Sequence, residues 1–240
     1  MGLAHSPRIV TDGLVLALDA NNSKSYSGSG TTWTNIPTSG SSFTLTNSPT
    51  YSNGNLTFDG VNDYAVSTSS NFLKWENWTK LSFTMIFNHT SATGQTGTRQ
   101  YLFDFRTSGG VNGALGVIVD NPSTTRELTL FYNTTGTSYE EPTAYTYDFN
   151  KWIVYTFTFD KTSSSNNIRH YINGENVFNR SVTANSTTTN GDGSIWIARY
   201  SGGGYYFNGL IPYISANTGV IFTENQVKQN FNALRGRFGI

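Results

Sequence analysis

Three segments that carry strand patterns and tight turns constrain the fold of this 240-residue chain most strongly. They run from Leu56 to Tyr64, from Lys151 to Asp160 and from Ile168 to Phe178. The third contains Asn173-Gly174, a dipeptide that tolerates the positive φ angles of a type I′ hairpin turn. Strands joined by short turns in this order predict a large antiparallel β-sandwich.

Alternating apolar side chains indicate further strands. Leu81, Phe83, Met85 and Phe87 share one face of such a segment, because side chains two residues apart point the same way in a strand. Other segments with strand patterns, separated by turn-rich stretches, are Gly13–Asp19, Phe43–Leu45, Tyr64–Ser67, Tyr101–Phe105, Ala114–Val119, Leu128–Tyr132, Ser194–Arg199 and Tyr205–Tyr213.

A single short helix is predicted near the C-terminal end. Thr223 and Gln226 form a capping-box pattern, and Val227, Phe231 and Leu234 follow at helical spacing. No internal repeat or linker divides the sequence. We therefore expect one all-β domain over residues 1–240, an antiparallel two-sheet β-sandwich of the jelly-roll type with one short C-terminal helix.

Composition excludes several classes of partner and site. Charged residues make up 12% of the chain and the formal net charge is zero, so we expect no basic surface for nucleic acid. The absence of Cys excludes disulfides and thiolate metal sites. No apolar run approaches the ~18–20 residues of a membrane span, so we expect no membrane partner.

The acidic residues do not form a pattern typical of an enzyme. Glycoside hydrolases of a similar shape carry carboxylates at alternate positions of one strand, and no Glu-x-Asp-x-Glu motif occurs here. Glu140 and Glu141 are adjacent, so on a strand they would point to opposite faces, and Pro142 follows them. We expect them to lie in a solvated loop. The sequence therefore predicts a protein that is not an enzyme, with a polysaccharide hydrolase or lyase as the least favoured class.

Two aspartates are candidate ligands for a metal ion. Asp59 and Asp63 lie on either side of one turn, and Ca²⁺ prefers clustered carboxylate and carbonyl oxygens. The alternative is that both side chains bond to the backbone of their own turn, as Asp commonly does. The expected cofactor is therefore none, with Ca²⁺ left open.

Aromatic residues in turn-rich segments are candidates for carbohydrate binding. Trp33, Tyr139, Tyr205 and Tyr206 lie in or beside stretches rich in Gly and Ser, as do Trp75 and Trp78. Exposed rings can stack on the apolar faces of sugars while neighbouring polar groups bond the hydroxyls. The alternative is that these rings cover the ends of the core or contact another subunit.

Six segments follow one another in an order that resembles a known family: Gly13–Asp19, Phe58–Tyr64, Trp152–Asp160, Tyr171–Gly174, Tyr206–Ile211 and Phe222–Ile240. Together they are similar to the laminin-G-like domains of bacteriophage structural proteins, within the concanavalin A-like superfamily. The resemblance covers essentially the whole chain. One departure is Pro212–Asn217, where such domains usually carry a charged strand, and Pro212 must then lie at an edge or a bulge.

The resemblance implies a non-enzymatic structural protein of the virion, which would be a capsid decoration, a fibre or a tail-associated module. Its partners would be coat or fibre subunits, with host-surface glycans as a further partner, and symmetric assembly implies a homo-oligomer. Such a protein is assembled in the host cytoplasm and then released from the cell. The alternative is a cellular carbohydrate-binding module or adhesin domain, because one fold serves many functions.

Overall fold

The chain forms two antiparallel sheets of eight strands each. The computed structural model describes residues 7–37, 42–67, 73, 77–91, 99–106, 114–120, 124–134, 137–183 and 194–240. Strands are numbered in chain order. The first sheet has the spatial order β14 (Glu175–Arg180), β13 (Ile168–Ile172), β12 (Trp152–Asp160), β7 (Lys80–His89), β16 (Asn208–Thr218), β5 (Asn55–Asp59) and β4 (Thr50–Ser52), with β1 (Leu14–Asp19) also paired to β16.

The second sheet has the order β11 (Thr137–Thr146), β10 (Glu127–Thr134), β9 (Leu115–Asp120), β8 (Arg99–Arg106), β15 (Ser194–Ile197), β6 (Tyr64–Ser67), β3 (Ser42–Thr46) and β2 (Thr32–Thr34). Neighbouring strands pair in the antiparallel sense in both sheets. The predicted antiparallel two-sheet sandwich is confirmed.

Phenylalanine rings fill much of the space between the sheets. The ring centroid of Phe83 lies 4.8 Å from that of Phe103 in the opposite sheet. It also lies 5.2 Å from Phe157 on the neighbouring strand β12. All three rings are fully buried, so the alternation that predicts β7 marks the inner face of that strand.

The predicted C-terminal helix is confirmed as α1 (Glu224–Leu234). The Gln226 amide donates to the Thr223 hydroxyl at 3.3 Å, and the Thr223 amide donates to the Gln226 side chain at 2.9 Å. This reciprocal pair satisfies two amides that a helix start leaves without partners. In the described ranges, no helix has both the length and the apolar character needed to cross a membrane.

Helix α1 covers part of the outer face of the first sheet. Leu234 packs on Ile86, Val154 and Tyr213, which project outward from three adjacent strands. Because the same strands face the core on their other side, they are apolar on both faces. In the described ranges, no such helix covers the second sheet, and its outer face carries a cluster of aromatic side chains.

Pro212 lies inside β16, where the register with β7 shifts between Leu210 and Tyr213. This irregularity confirms the expectation that Pro212 lies at a bulge, because proline cannot donate to a regular ladder. The Pro212 carbonyl accepts a hydrogen bond from the Ala20 amide at 2.8 Å.

The prediction of a solvated loop around Glu140 and Glu141 is wrong, because both residues belong to edge strand β11. They do point to opposite faces. Glu140 is exposed and forms an ion pair with Arg99 at 2.6 Å. Glu141 is buried and pairs with Arg180 of the first sheet at 3.0 Å, so a charged link joins the two sheets at this edge.

Candidate functional site

A cluster of tyrosines lies on the outer face of the second sheet. It is formed by β8 and by residues 199–206 between β15 and β16, which we call the tyrosine loop. The Phe207 amide donates to the Ala198 carbonyl at 3.0 Å and closes the base of this loop. The Tyr101 amide of β8 donates to the Tyr205 carbonyl at 2.9 Å, which fastens the loop to the sheet.

The backbone of the tyrosine loop is tightly constrained. Tyr205 has a φ of +54°, a value that is unusual for a bulky side chain and that marks a position held by its surroundings. An added Cβ at Gly202 would lie 2.4 Å from the ring of Tyr200, so a side chain there would displace that ring. The fully buried Asp104 accepts a hydrogen bond from the Ser201 amide at 2.8 Å.

Three tyrosine rings meet at this loop. The centroid of Tyr101 lies 5.0 Å from that of Tyr200 and 5.9 Å from that of Tyr205, and the last two rings are 5.7 Å apart. Tyr101 is buried, whereas Tyr200 and Tyr205 are half-buried. A bulge in β8 between Tyr101 and Phe103 accompanies this arrangement, and bulges commonly re-aim a side chain.

An arginine and two further tyrosines continue the cluster. The Arg199 guanidinium lies 4.5 Å from the ring centroid of Tyr64 and 5.9 Å from that of Tyr206. Both distances fall within the range of a cation–π contact. All three side chains are half-buried. The outer face therefore offers aromatic surface and a positive charge side by side.

The structure brings Tyr205 and Tyr206 together but separates them from the other predicted sugar-binding residues. Trp33 is fully buried in the core, which agrees with the alternative that such rings cover the core, and its ring is not available to stack on a sugar. Tyr139 faces inward and stacks on Tyr132, with ring centroids 5.0 Å apart and an interplanar angle of 8°. Its strand, β11, is three positions away from β8 in the sheet.

Of the two further tryptophans, Trp78 is buried, and its indole donates a hydrogen bond to the Leu73 carbonyl at 3.2 Å. Trp75 lies outside the described residues. Trp78 therefore does not contribute to the tyrosine cluster.

Asp59 and Asp63 bond the backbone of their own turn. One oxygen of Asp59 accepts hydrogen bonds from the amides of Val61, Asn62 and Asp63 at 2.8 to 3.2 Å. Asp63 accepts from the Asp59 amide at 3.2 Å. This is the geometry of the turn-forming alternative. Within the described ranges, no group of three or more His, Asp or Glu side chains is arranged to hold a metal ion.

The two carboxylates of this turn have different environments. Burial raises the pKa of Asp63 to about 6, and the nearby charge of Asp59 acts in the same direction. Burial also acts to raise the pKa of Asp59, but the hydrogen bonds from Val61, Asn62 and Asp63 outweigh it and lower the pKa.

Sequence reasoning missed Tyr64, Tyr101, Arg199 and Tyr200 as members of the site. A local signal did exist, because aromatic residues flank the glycines at 202–204 on both sides. Tyr64 and Tyr101 could not be found this way, since strand pairing alone brings them to the loop.

The family model described as the concanavalin A-like lectin/glucanases superfamily matches residues 59–214. The chain belongs to this superfamily. No curated protein sequence matches the chain. The matched residues contain the whole tyrosine loop together with Tyr64 and Tyr101, so the candidate site lies within the region that defines the family.

Solved structures with the same fold share little sequence with this chain. Trypanosoma rangeli sialidase in complex with sialic acid matches with a TM-score of 0.68 and 13% identity, over 98% of this chain and 36% of the sialidase chain. A structure of botulinum neurotoxin type C, whose cell entry depends on two ganglioside molecules, matches with a TM-score of 0.63 and 14% identity. That match covers 92% of this chain and 51% of the neurotoxin chain. This chain thus spans about a third of one protein and about half of the other.

Proposed function

We propose that this chain is a non-catalytic glycan-binding module and that the tyrosine loop is its contact surface. The observation that carries this proposal is the meeting of three tyrosine rings within 6 Å of one another on the outer face of the second sheet. Half-buried tyrosines combine an apolar ring with a hydroxyl, and both are useful against a sugar.

The constrained loop backbone also supports binding. Because Tyr205 is held at a positive φ and Asp104 accepts from the Ser201 amide, the backbone that carries the rings is constrained before any ligand arrives. Fixed side chains lose less entropy on binding than mobile ones do, which favours affinity. Of the two solved structures cited above, one is a sialidase in complex with sialic acid and the other is a neurotoxin whose cell entry depends on ganglioside molecules, which supports a carbohydrate ligand.

We propose no catalytic role for the carboxylates near this face. Glycoside hydrolysis commonly needs two carboxyl groups that flank the scissile bond. Asp104 is fully buried and bonds the loop backbone, while Glu140 is engaged by Arg99. Glu141 points into the sandwich toward Arg180.

The biological setting that we propose is a virion appendage, as a decoration, fibre or tail-associated module that assembles as a homo-oligomer. Its support is the resemblance to phage laminin-G-like domains, whereas the solved structures cited above are a sialidase and a neurotoxin. Mass spectrometry of purified virions and light scattering of the isolated chain test this setting. Absence from virions would favour the alternative, a cellular carbohydrate-binding module or adhesin.

A glycan array tests the binding function with three variants. Tyr205→Ala and Tyr206→Ala each remove one ring from the loop, and we expect roughly tenfold or greater loss of affinity from each, comparable to losing a good aromatic contact. Tyr139→Ala is the matched control, because its ring faces inward. Near-ultraviolet circular dichroism verifies folding. Binding that survives both loop variants, or no binding to any glycan, would refute the proposal.

A further inference from the structure

Arg199 differs from several other arginines of the chain in taking part in no ion pair among the described residues. Four other arginines lie 2.6 to 3.7 Å from an acidic side chain: Arg99, Arg126, Arg180 and Arg237. None of the ion pairs within the described ranges involves Arg199. Its Nε atom is buried and makes no hydrogen bond there.

A half-buried guanidinium that takes part in no ion pair can bind an anion. Partial burial weakens the hydration of the guanidinium, and hydrogen bonds to a charged partner are about twice as strong as neutral ones. The rings of Tyr64 and Tyr206 restrain the group by cation–π contact, which leaves its in-plane N–H groups able to donate. Two terminal N–H groups in one plane match the two oxygens of a carboxylate.

The glycine run keeps space open beside this charge. An added Cβ at Gly203 would lie 3.4 Å from Nη2 of Arg199, and Gly203 has a φ of +91° that favours glycine. The charged end of Arg199 therefore lies against a segment without side chains. Arg199 directly precedes Tyr200 in the sequence, and Tyr205 and Tyr206 lie at the end of the same loop.

We propose that the tyrosine loop selects glycans that carry a carboxylate and that the terminal N–H groups of Arg199 bind this carboxylate. This inference rests on the proposed glycan-binding function and names its ligand class. The aromatic rings hold the sugar, while Arg199 distinguishes an acidic sugar from a neutral one. Sialic acids and uronic acids both offer this chemistry.

The test measures affinity for matched acidic and neutral ligands by titration calorimetry. The probes are sialyllactose, the methyl ester of sialyllactose, digalacturonate and lactose, with sulfated lactose as a competing anion. We expect at least one carboxylate ligand to bind roughly tenfold or more tightly than its uncharged counterpart, the effect of one charge-assisted hydrogen-bonded pair. Which acid binds identifies the source of the carboxylate.

Arg199→Gln should abolish the preference for the acid, and Arg199→Lys should keep part of it, because lysine retains the charge without the planar fork. Unchanged preference in Arg199→Gln would overturn the inference, as would a preference for sulfate over carboxylate. Equal affinity for acidic and neutral glycans that is still lost in Tyr205→Ala overturns only this inference and leaves the glycan-binding function in place. No glycan binding at all overturns both.

Discussion

Acid should destabilise this protein through a buried histidine. His170 of β13 is fully buried, and one of its ring nitrogens, Nδ1, lies 2.8 Å from the hydroxyl of Tyr155. The other, Nε2, is buried and has no hydrogen-bond partner within the described ranges. A protonated imidazole would need acceptors at both nitrogens, and burial accordingly lowers the pKa of His170 from near 6.5 to about 3.

The direction of the effect follows from this depressed pKa. Above about pH 6.5 the imidazole is neutral in both the folded and the unfolded chain, so His170 does not reduce the unfolding free energy there. As the pH falls toward 3, the unfolded chain takes up a proton that the folded chain excludes, and stability is lost. By about pH 5 this amounts to about 2 kcal/mol of unfolding free energy from one histidine.

Urea unfolding of the wild type and of His170→Asn at pH values between about 8 and 5 measures this effect. Asn keeps a polar group for Tyr155 but does not titrate, so the loss of unfolding free energy on acidification should be about 2 kcal/mol smaller in the variant. Both proteins retain His89 and Asp63, so the contributions of these two residues cancel when the pH dependence of one protein is subtracted from that of the other.

Ile168→Val on the same strand is the matched control. It should lower the unfolding free energy by about 1 kcal/mol at every pH, because it removes one buried methyl group without changing a titratable site. Equal pH dependence of the wild type and His170→Asn would refute the reasoning.

Two further predictions concern the turn between Asp59 and Asp63 and the ion pair between Glu141 and Arg180. Ca²⁺ should leave the thermal midpoint unchanged, since one oxygen of Asp59 and one of Asp63 already accept hydrogen bonds from the backbone of their own turn, and a calcium-dependent rise that Asp63→Asn abolishes would contradict this. Arg180→Ala should lower the unfolding free energy by about 2 kcal/mol, and Glu141→Gln by less, because only the first leaves a buried carboxylate unpaired. Chemical denaturation of both variants measures the two losses of unfolding free energy, and a larger loss in Glu141→Gln would contradict this prediction.

The parts of the fold that depend on local patterns could be predicted from the sequence. The alternation in β7 identifies its inner face, and the capping box places the start of α1. The Asn173-Gly174 turn lies between β13 and β14 as predicted, with both residues at positive φ. In each case neighbouring residues alone determine the structure.

The parts that depend on distant contacts could not be predicted. Trp33 is surrounded by turn-forming residues, yet it points into the core because β2 pairs with β3. Glu141 is accommodated inside the sandwich because Arg180 reaches it from the other sheet and the Tyr132 hydroxyl donates to it. The glycine-rich surroundings of Tyr205 make it a candidate from the sequence. Its partner Tyr101, however, lies about a hundred residues earlier in the chain. Only the order of the strands in the sheet brings the two rings together.

The most direct test of the account is an NMR titration of isotope-labelled protein with a glycan that binds on the array. Binding at the tyrosine loop predicts shifts concentrated in residues 199–206 and in Tyr64 and Tyr101. Shifts confined to another surface, such as the cleft lined by Arg126, Tyr147 and Asp148, would contradict it and would place the binding site elsewhere on the sandwich.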